Sequence, residues 1–280
     1  MKKIICLLLC AISIIGLASC AEQPKLKIID IKLTEEEYAF IIQEGNSALK
    51  ESFDEYLDSI KANGEFDAIV DKYINNKEGK VGVVAAVEAP TNTEGLFVVA
   101  TNVPFGPFEY RDIDGKVYGI DIEIAQGYAK SKGLELAVVT MDFDAIFPSV
   151  AAGYSDIGMA GITVTPDREL SFDFTNTYYN ASQKLIVLES NTDFDNCKTA
   201  ADVEEVLKGL QGKKIGYQTA TMGNWYIDGD EDFGFEGFAN IEGVGNASLQ
   251  FVTLDVLNGN LYAVVTDELP AQSLVESANK

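Results

Sequence analysis

Two residues of opposite charge, Arg168 and Asp267, carry most of the chemistry this sequence offers. Arg168 closes the stretch Gly158-Met-Ala-Gly-Ile-Thr-Val-Thr-Pro-Asp-Arg168, which predicts a strand running into a loop that delivers the arginine from the first turn of a helix. Thr165 suits the N-cap, Pro166 sits where a first helical residue needs no N–H, and Asp167 suits the positive helix end. Ahead of the cap, Ala160, Gly161 and Thr163 leave backbone N–H groups near the arginine. A guanidinium fork with main-chain donors beside it is what a carboxylate requires. Taken alone, Arg168 reads as a solvated surface arginine, and Asp267 as a helix N-cap before Glu268-Leu-Pro270. The case for a site rests on the two residues together.

Other chemistries are excluded by composition. The chain has no histidine, which removes the commonest general base, the serine-type triad and most zinc sites. Lys2 and Lys3 precede an apolar run over residues 4–18 and then Leu17-Ala-Ser-Cys20. The run is short for a membrane span and small residues precede the cysteine, so residues 1–19 are expected to be a cleaved export signal. Cys6 and Cys10 would leave with it, and Cys197 has no partner, so neither a disulfide framework nor a thiol metal cluster is expected. Asp228-Gly-Asp-Glu-Asp232 begins like a calcium loop, but Phe233 and Ala239 stand where glycine and glutamate are needed, which reads as a solvated acidic loop. No glycine-rich stretch carries a lysine-threonine phosphate motif, so no cofactor is expected. The net charge of −23 repels nucleic acid and anionic headgroups.

The elements that must position the charges follow from periodicity. Residues 26–31 and 38–43 read as strands, and Asn46 can cap a helix to residue 60, with Leu49, Phe53, Tyr56, Leu57 and Ile60 on one face. A short helix is expected over 66–74. Residues 75–95 then form a linker, with a strand somewhere in its apolar patch. From residue 96, strands at 97–101, 134–140, 157–160 and 184–188 alternate with helices at 119–132 and 143–151. A second set follows: helix 200–210, strand 214–218, a helix near Thr221, strand 239–241, helix 247–258, strand 263–266 and helix 269–278. Such alternation predicts an α/β architecture with mostly parallel sheets in two units, changing over near residue 190, and ligands beyond the carboxyl ends of the strands.

Thr101-Asn-Val-Pro-Phe-Gly-Pro-Phe-Glu-Tyr110, followed by Asp114-Gly-Lys-Val-Tyr-Gly-Ile-Asp-Ile-Glu123, resembles the opening of bacterial extracellular solute-binding proteins for polar amino acids. Asp142-Phe-Asp-Ala-Ile-Phe-Pro-Ser149, the Arg168 stretch, Phe172-Asp-Phe-Thr175 and Ala263-Val-Val-Thr-Asp-Glu-Leu-Pro-Ala271 extend the resemblance in order across residues 96–280. It implies a two-lobed periplasmic-binding-protein-like clamshell of type II. Such a monomer closes on a free amino acid and hands it to the permease of an ABC importer. Residues 26–73 resemble the family's C-terminal segment, yet here they come first. Circular permutation through residues 75–95 is one account; an unrelated N-terminal addition is the other. A permuted chain would form one lobe from 44–187, with helices 46–74 and the linker, and the other from 21–43 plus 188–280. Leu17-Ala-Ser-Cys20 resembles a bacterial lipobox, which implies lipid on Cys20 and an extracytoplasmic, membrane-anchored receptor. An ordinary secretory signal is the alternative.

By the same resemblance Arg168 takes the ligand carboxylate, helped by N–H groups near Thr163 and Thr221, and Asp267 takes its ammonium. Phe105, Phe108 and Phe143 correspond to side-chain pocket positions, and aromatic walls suit a cationic ligand. Asn102 stands where some cation-selective relatives carry an acid, and Met222 replaces a common hydroxyl residue. Ala160, Gly161, Gln183 and Trp225 are expected to border the cleft. The resemblance favours arginine, with glutamine or another polar amino acid as an alternative. A lyase of the same fold, using a cleft carboxylate such as Glu109 or Asp267, is the enzymatic alternative.

Overall fold

The computed structural model describes residues 23–75, 82–231 and 233–280, so the expected export signal and Cys20 lie outside it. The chain opens with β1 (Leu26–Ile29), β2 (Glu36–Tyr38) and β3 (Ile41–Gln43), then helices α1 (Ser47–Ala62) and α2 (Glu65–Ile74). Next come β4 (Val84–Ala85), β5 (Leu96–Thr101), β6 (Tyr110–Arg111), β7 (Lys116–Tyr118), α3 (Ile120–Lys132), β8 (Glu135–Thr140) and α4 (Phe143–Ala151). These are followed by β9 (Ile157–Gly158), α5 (Pro166–Glu169), β10 (Phe172–Phe174), β11 (Tyr179–Ala181) and β12 (Gln183–Leu188). The last part holds α6 (Ala200–Gly209), β13 (Lys213–Gln218), α7 (Met222–Asp228), β14 (Ile241–Asn246), α8 (Leu249–Leu257), β15 (Ala263–Asp267) and α9 (Glu268–Ala278).

Two five-stranded sheets organise two lobes, ordered β10-β3-β9-β5-β8 and β1-β12-β15-β13-β14. Each has three parallel strands, a fourth (β3 or β12) antiparallel to them, and an edge strand (β10 or β1) antiparallel to that fourth one. The sheets are therefore mixed rather than mostly parallel, because the chain crosses between lobes and enters each new sheet in the reverse direction. The crossing is made by β2 and β11, which pair antiparallel with Tyr38 opposite Tyr179. This ribbon corrects the lobe limits expected from the sequence. β3 pairs with β9 and β10 and so lies in the first lobe, while β12 pairs with β1 and β15 and so lies in the second. An apolar strand looks alike in either sheet, and only its hydrogen-bond partners assign it.

The segment before residue 96 is built into both lobes. β1 pairs with β12, and α1 buries Phe53, Leu57 and Ile60 in the same core as Phe97 and Tyr128. Asn46 caps α1, its side chain accepting from the Leu49 N–H at 3.3 Å. The strand expected in the linker is β4, which pairs with β7, and the Val87 N–H continues onto the edge of β8 at the Val138 carbonyl, 2.9 Å away. At the other end, Leu26 and Asn279 exchange two hydrogen bonds of 2.9 Å. Strand β14 begins later and runs longer than the sequence predicts. Its Gly243 and Gly245 face Tyr217, Asp228 and Thr219 at distances a Cβ would not allow, so the strand lacks apolar alternation for a packing reason.

Candidate functional site

Strand ends from both sheets meet in a cleft bordered by the hinge ribbon. In the first lobe, Thr165 accepts from the Arg168 N–H and starts α5, which holds Arg168 in the cleft wall and leaves it 7% exposed. The guanidinium donates to the Thr163 carbonyl at 2.8 Å within its own lobe and to the Ala220 carbonyl at 3.0 Å in the other. Phe147 and Trp225 lie 4.9 and 5.1 Å from it, and Phe143 5.6 Å. Arginine thus spans the closed jaws between aromatic faces, a cation–π arrangement. Burial lowers its pKa to about 10, opposed by Glu36, Asp167 and Asp267, so it stays charged at neutral pH.

Asp267 ends β15 in the second lobe and accepts from the Tyr38 hydroxyl at 2.5 Å and Gln183 Nε2 at 2.9 Å. Burial, then the nearby Glu36 charge, raises its pKa to about 7, with the Tyr38 and Gln183 hydrogen bonds opposing. Its side chain does not cap α9, so the plain N-cap reading is set aside. Glu36, on the hinge strand, accepts from Thr163 Oγ1 at 2.8 Å and from Gln183 Nε2 at 3.0 Å, joining the two jaws.

One cavity of about 20 Å³ is lined by Arg168 and Asp267 together with Asn102, Phe105, Phe143, Ala160, Gly161, Thr163, Gln183, Thr221 and Met222. On that measure a single water needs about 10–15 Å³, so the closed cavity has room for about one water and none for an amino acid. Any amino acid therefore requires the lobes to part and close again around it. Gly161 has φ +54°, and an added Cβ would lie 2.6 Å from the Phe105 ring, so glycine is needed where the backbone approaches the aromatic wall. Two expected residues do not line this cavity: Trp225, which meets the cleft through the Arg168 guanidinium, and Phe108. The Phe108 ring packs against Tyr38 and Tyr179 with centroids 5.2 and 5.1 Å away, which makes it hinge core rather than pocket wall.

Sequence reasoning missed two lining residues as ligand contacts, Gln218 and Glu109. Gln218 donates to Asn102 Oδ1 at 2.8 Å, a direct bond between lobes, while Asn102 Nδ2 donates to the Met141 carbonyl at 2.7 Å. Gln218 ends a strand, and that position was the available signal. Glu109 is wholly buried beside Asp121, and no N–H or hydroxyl donor reaches either of its carboxyl oxygens. Burial and the adjacent Asp121 push its pKa well up, and burial raises Asp121 to about 7. Asp121 in turn accepts from the Tyr178 hydroxyl at 2.8 Å and the Gly161 N–H at 3.3 Å. Two buried carboxyls this close cannot both ionise cheaply. Among the described residues, no group of histidine, cysteine or carboxylate side chains could hold a metal ion.

Residues 97–269 match the family model of bacterial extracellular solute-binding proteins, family 3. The chain belongs to that family. This solute-binding protein is accordingly a receptor rather than an enzyme. It is 26% identical over 202 residues to a probable histidine-binding protein of Neisseria gonorrhoeae, covering 71% of this chain and 68% of that one. It is 30% identical over 125 residues to the arginine-binding extracellular protein ArtP of Bacillus subtilis (strain 168), covering 45% and 44%. The match therefore spans under half of ArtP. Among solved structures, it resembles an amino acid ABC transporter substrate-binding protein, AbpA, from Streptococcus pneumoniae Canada MDR_19A bound to L-arginine. That likeness has TM-score 0.55 and 32% identity, over 65% of this chain and 72% of that one.

Proposed function

We propose that the chain is a lipid-anchored, extracytoplasmic receptor that closes on a free amino acid, arginine by preference, and delivers it to the permease of an ABC importer. The observation that carries this reading is that Arg168 from one lobe and Asp267 from the other line a single cavity. On ligand entry the guanidinium exchanges the Ala220 carbonyl for the ligand carboxylate, and Asp267 exchanges Tyr38 and Gln183 for the ammonium. Each charge is then matched only when the jaws close around both ends, so closure depends on ligand. The similarity to arginine-binding proteins supports the ligand, as do the walls of Phe105 and Phe143 and the acid at Glu109. Leu17-Ala-Ser-Cys20 supports the anchor.

The amide pair of Asn102 and Gln218 favours a second reading, glutamine or another polar amino acid, because two neutral amides complement an amide side chain without demanding charge. Circular permutation belongs to the proposal. In its favour, the family match begins at residue 97, and the strands before it pair within both lobe sheets. The bonded ends at Leu26 and Asn279 suit a chain reopened at a new place.

A thermal-shift panel of the twenty amino acids tests the reading. Arginine at about 100 times its Kd should add roughly 2.7 kcal/mol of stability. A shift with glutamine and none with arginine selects the second reading, and no shift with any amino acid removes both.

A further inference from the structure

Glu36 does not line the amino-acid cavity, yet it bonds two residues that do. It stands on β2, one strand of the hinge ribbon, and is 6% exposed. Oε2 accepts from the Thr163 hydroxyl of the first lobe at 2.8 Å. Oε1 accepts from Gln183 Nε2 of the second lobe at 3.0 Å and from Thr34 Oγ1 at 2.6 Å. One carboxylate therefore holds a wall residue of each jaw from the strand that joins them.

The same glutamine ties Glu36 to Asp267. Nε2 carries two N–H groups, and both go to acids: one to Glu36 and one to Asp267 Oδ1, 2.9 Å away. Gln183 is 1% exposed and its Oε1 has no hydrogen-bond partner, so the bonds that orient its amide are those to the two acids. Glu36 also faces Tyr38 and Arg168, and Asp267 faces Tyr38, Tyr179 and Arg168. Arg168 is the cation of this group, and its guanidinium donates to the Thr163 and Ala220 carbonyls. Two carboxylates across one neutral amide repel each other, which adds to burial in raising the Asp267 pKa to about 7. An ammonium beside them relieves that repulsion, and a neutral hydroxyl does not.

We propose that Glu36 is the positioning residue of the ligand-ammonium seat: it holds Thr163 and Gln183 from the hinge and, with Asp267, makes the seat demand a full positive charge. A ligand ammonium at Asp267 lies in the field of two carboxylates, whereas a hydroxyl in its place leaves them facing each other. Glu36 thereby separates an amino acid from the 2-hydroxy acid with the same side chain. The inference rests on the amino-acid reading of the cleft, and one arm of its test needs no ligand.

The ligand-free arm follows the Asp267 carboxyl by its carbon-13 resonance in the full chain, assigned by its loss in Asp267→Asn. The midpoint should lie at about pH 7 in the unaltered chain. It should fall to about pH 6 in Glu36→Gln, which removes the charge and keeps both tethers by turning its amide N–H to the Thr163 hydroxyl. An unchanged midpoint overturns the proposal. The second arm is calorimetry at pH 8, where Asp267 is ionised in both chains, with arginine and with its 2-hydroxy analogue, argininic acid. The unaltered chain should prefer arginine, and Glu36→Gln should narrow that preference about tenfold by weakening arginine alone. Glu36→Asp keeps the charge but cannot reach both Thr163 and Gln183, so it should hold the midpoint near pH 7 and weaken both ligands alike. An unchanged preference in Glu36→Gln, or unchanged affinities in Glu36→Asp, overturns the proposal. If the midpoint moves as expected and no chain binds arginine, the amino-acid reading fails while the hold of Glu36 on Asp267 stands.

Discussion

Asp267 makes ligand affinity depend on pH in a way that can be worked out from the structure. Closed in the jaws, its carboxyl has a pKa of about 7 against an ordinary 3.8, because it is buried and faces Glu36. A ligand ammonium beside it favours the ionised form, so binding lowers that pKa and expels a proton. The receptor state that binds is the deprotonated one. Affinity therefore rises with pH up to about 7 and levels off above it. Roughly nine-tenths of Asp267 is protonated at pH 6, so arginine should bind about tenfold more weakly there than at pH 8, and about a hundredfold more weakly at pH 5. Calorimetric titration of arginine in two buffers of different ionisation enthalpy measures the proton count directly. Release should approach one proton per arginine at pH 6 and fall toward zero at pH 8. Glu109 and Asp121 also hold raised pKa values, so the variant Asp267→Asn is the control that separates them. It should bind weakly and release almost nothing. A Kd constant from pH 5 to 8, or the same proton release from Asp267→Asn, would refute the reasoning.

Other outcomes follow from the same geometry. Arg168→Ala should erase the arginine-induced thermal shift, and Arg168→Lys should recover little, because an ammonium cannot replace the fork that bonds both Thr163 and Ala220. Gly161→Val should cost about 1–3 kcal/mol in denaturant melts and weaken ligand binding, since the left-handed backbone and the Phe105 ring both exclude a side chain. The raised carboxyl pKa values mean that the folded chain binds more protons than the unfolded one between the ordinary carboxylate range and about pH 7. Without ligand, the melting temperature should therefore fall as pH rises from 5 to 8. Cys20→Ser should move the chain from the membrane fraction to the soluble one.

Much of the site was legible in the sequence because it is built from local devices. Thr165, Pro166 and Arg168 form a cap, a helix start and a delivered guanidinium within four residues, and the structure keeps all three. Asp267 could be placed only by resemblance, since nothing local separates a cleft carboxylate from a helix cap. The lobe limits were misjudged because residues 38–43 and 183–188 are apolar strands whose sheet is decided by partners far along the chain. Glu109 was noticed only as a possible acid for catalysis. Its burial beside Asp121 depends on a turn that brings Phe105 back against Glu109, which no residue pattern states. Phe108 differs from Phe105 only in direction: one ring turns to the hinge tyrosines and the other to the cavity.

A crystal structure of the chain grown with arginine bears most directly on opposite charges gripping a zwitterion from opposite lobes. The ligand carboxylate should lie about 3 Å from the Arg168 guanidinium nitrogens and the α-ammonium about 3 Å from an Asp267 oxygen, with Ala220 and Tyr38 released from their present bonds. Arginine bound to one lobe alone, or bound with the Arg168–Ala220 and Asp267–Tyr38 bonds still in place, would contradict it.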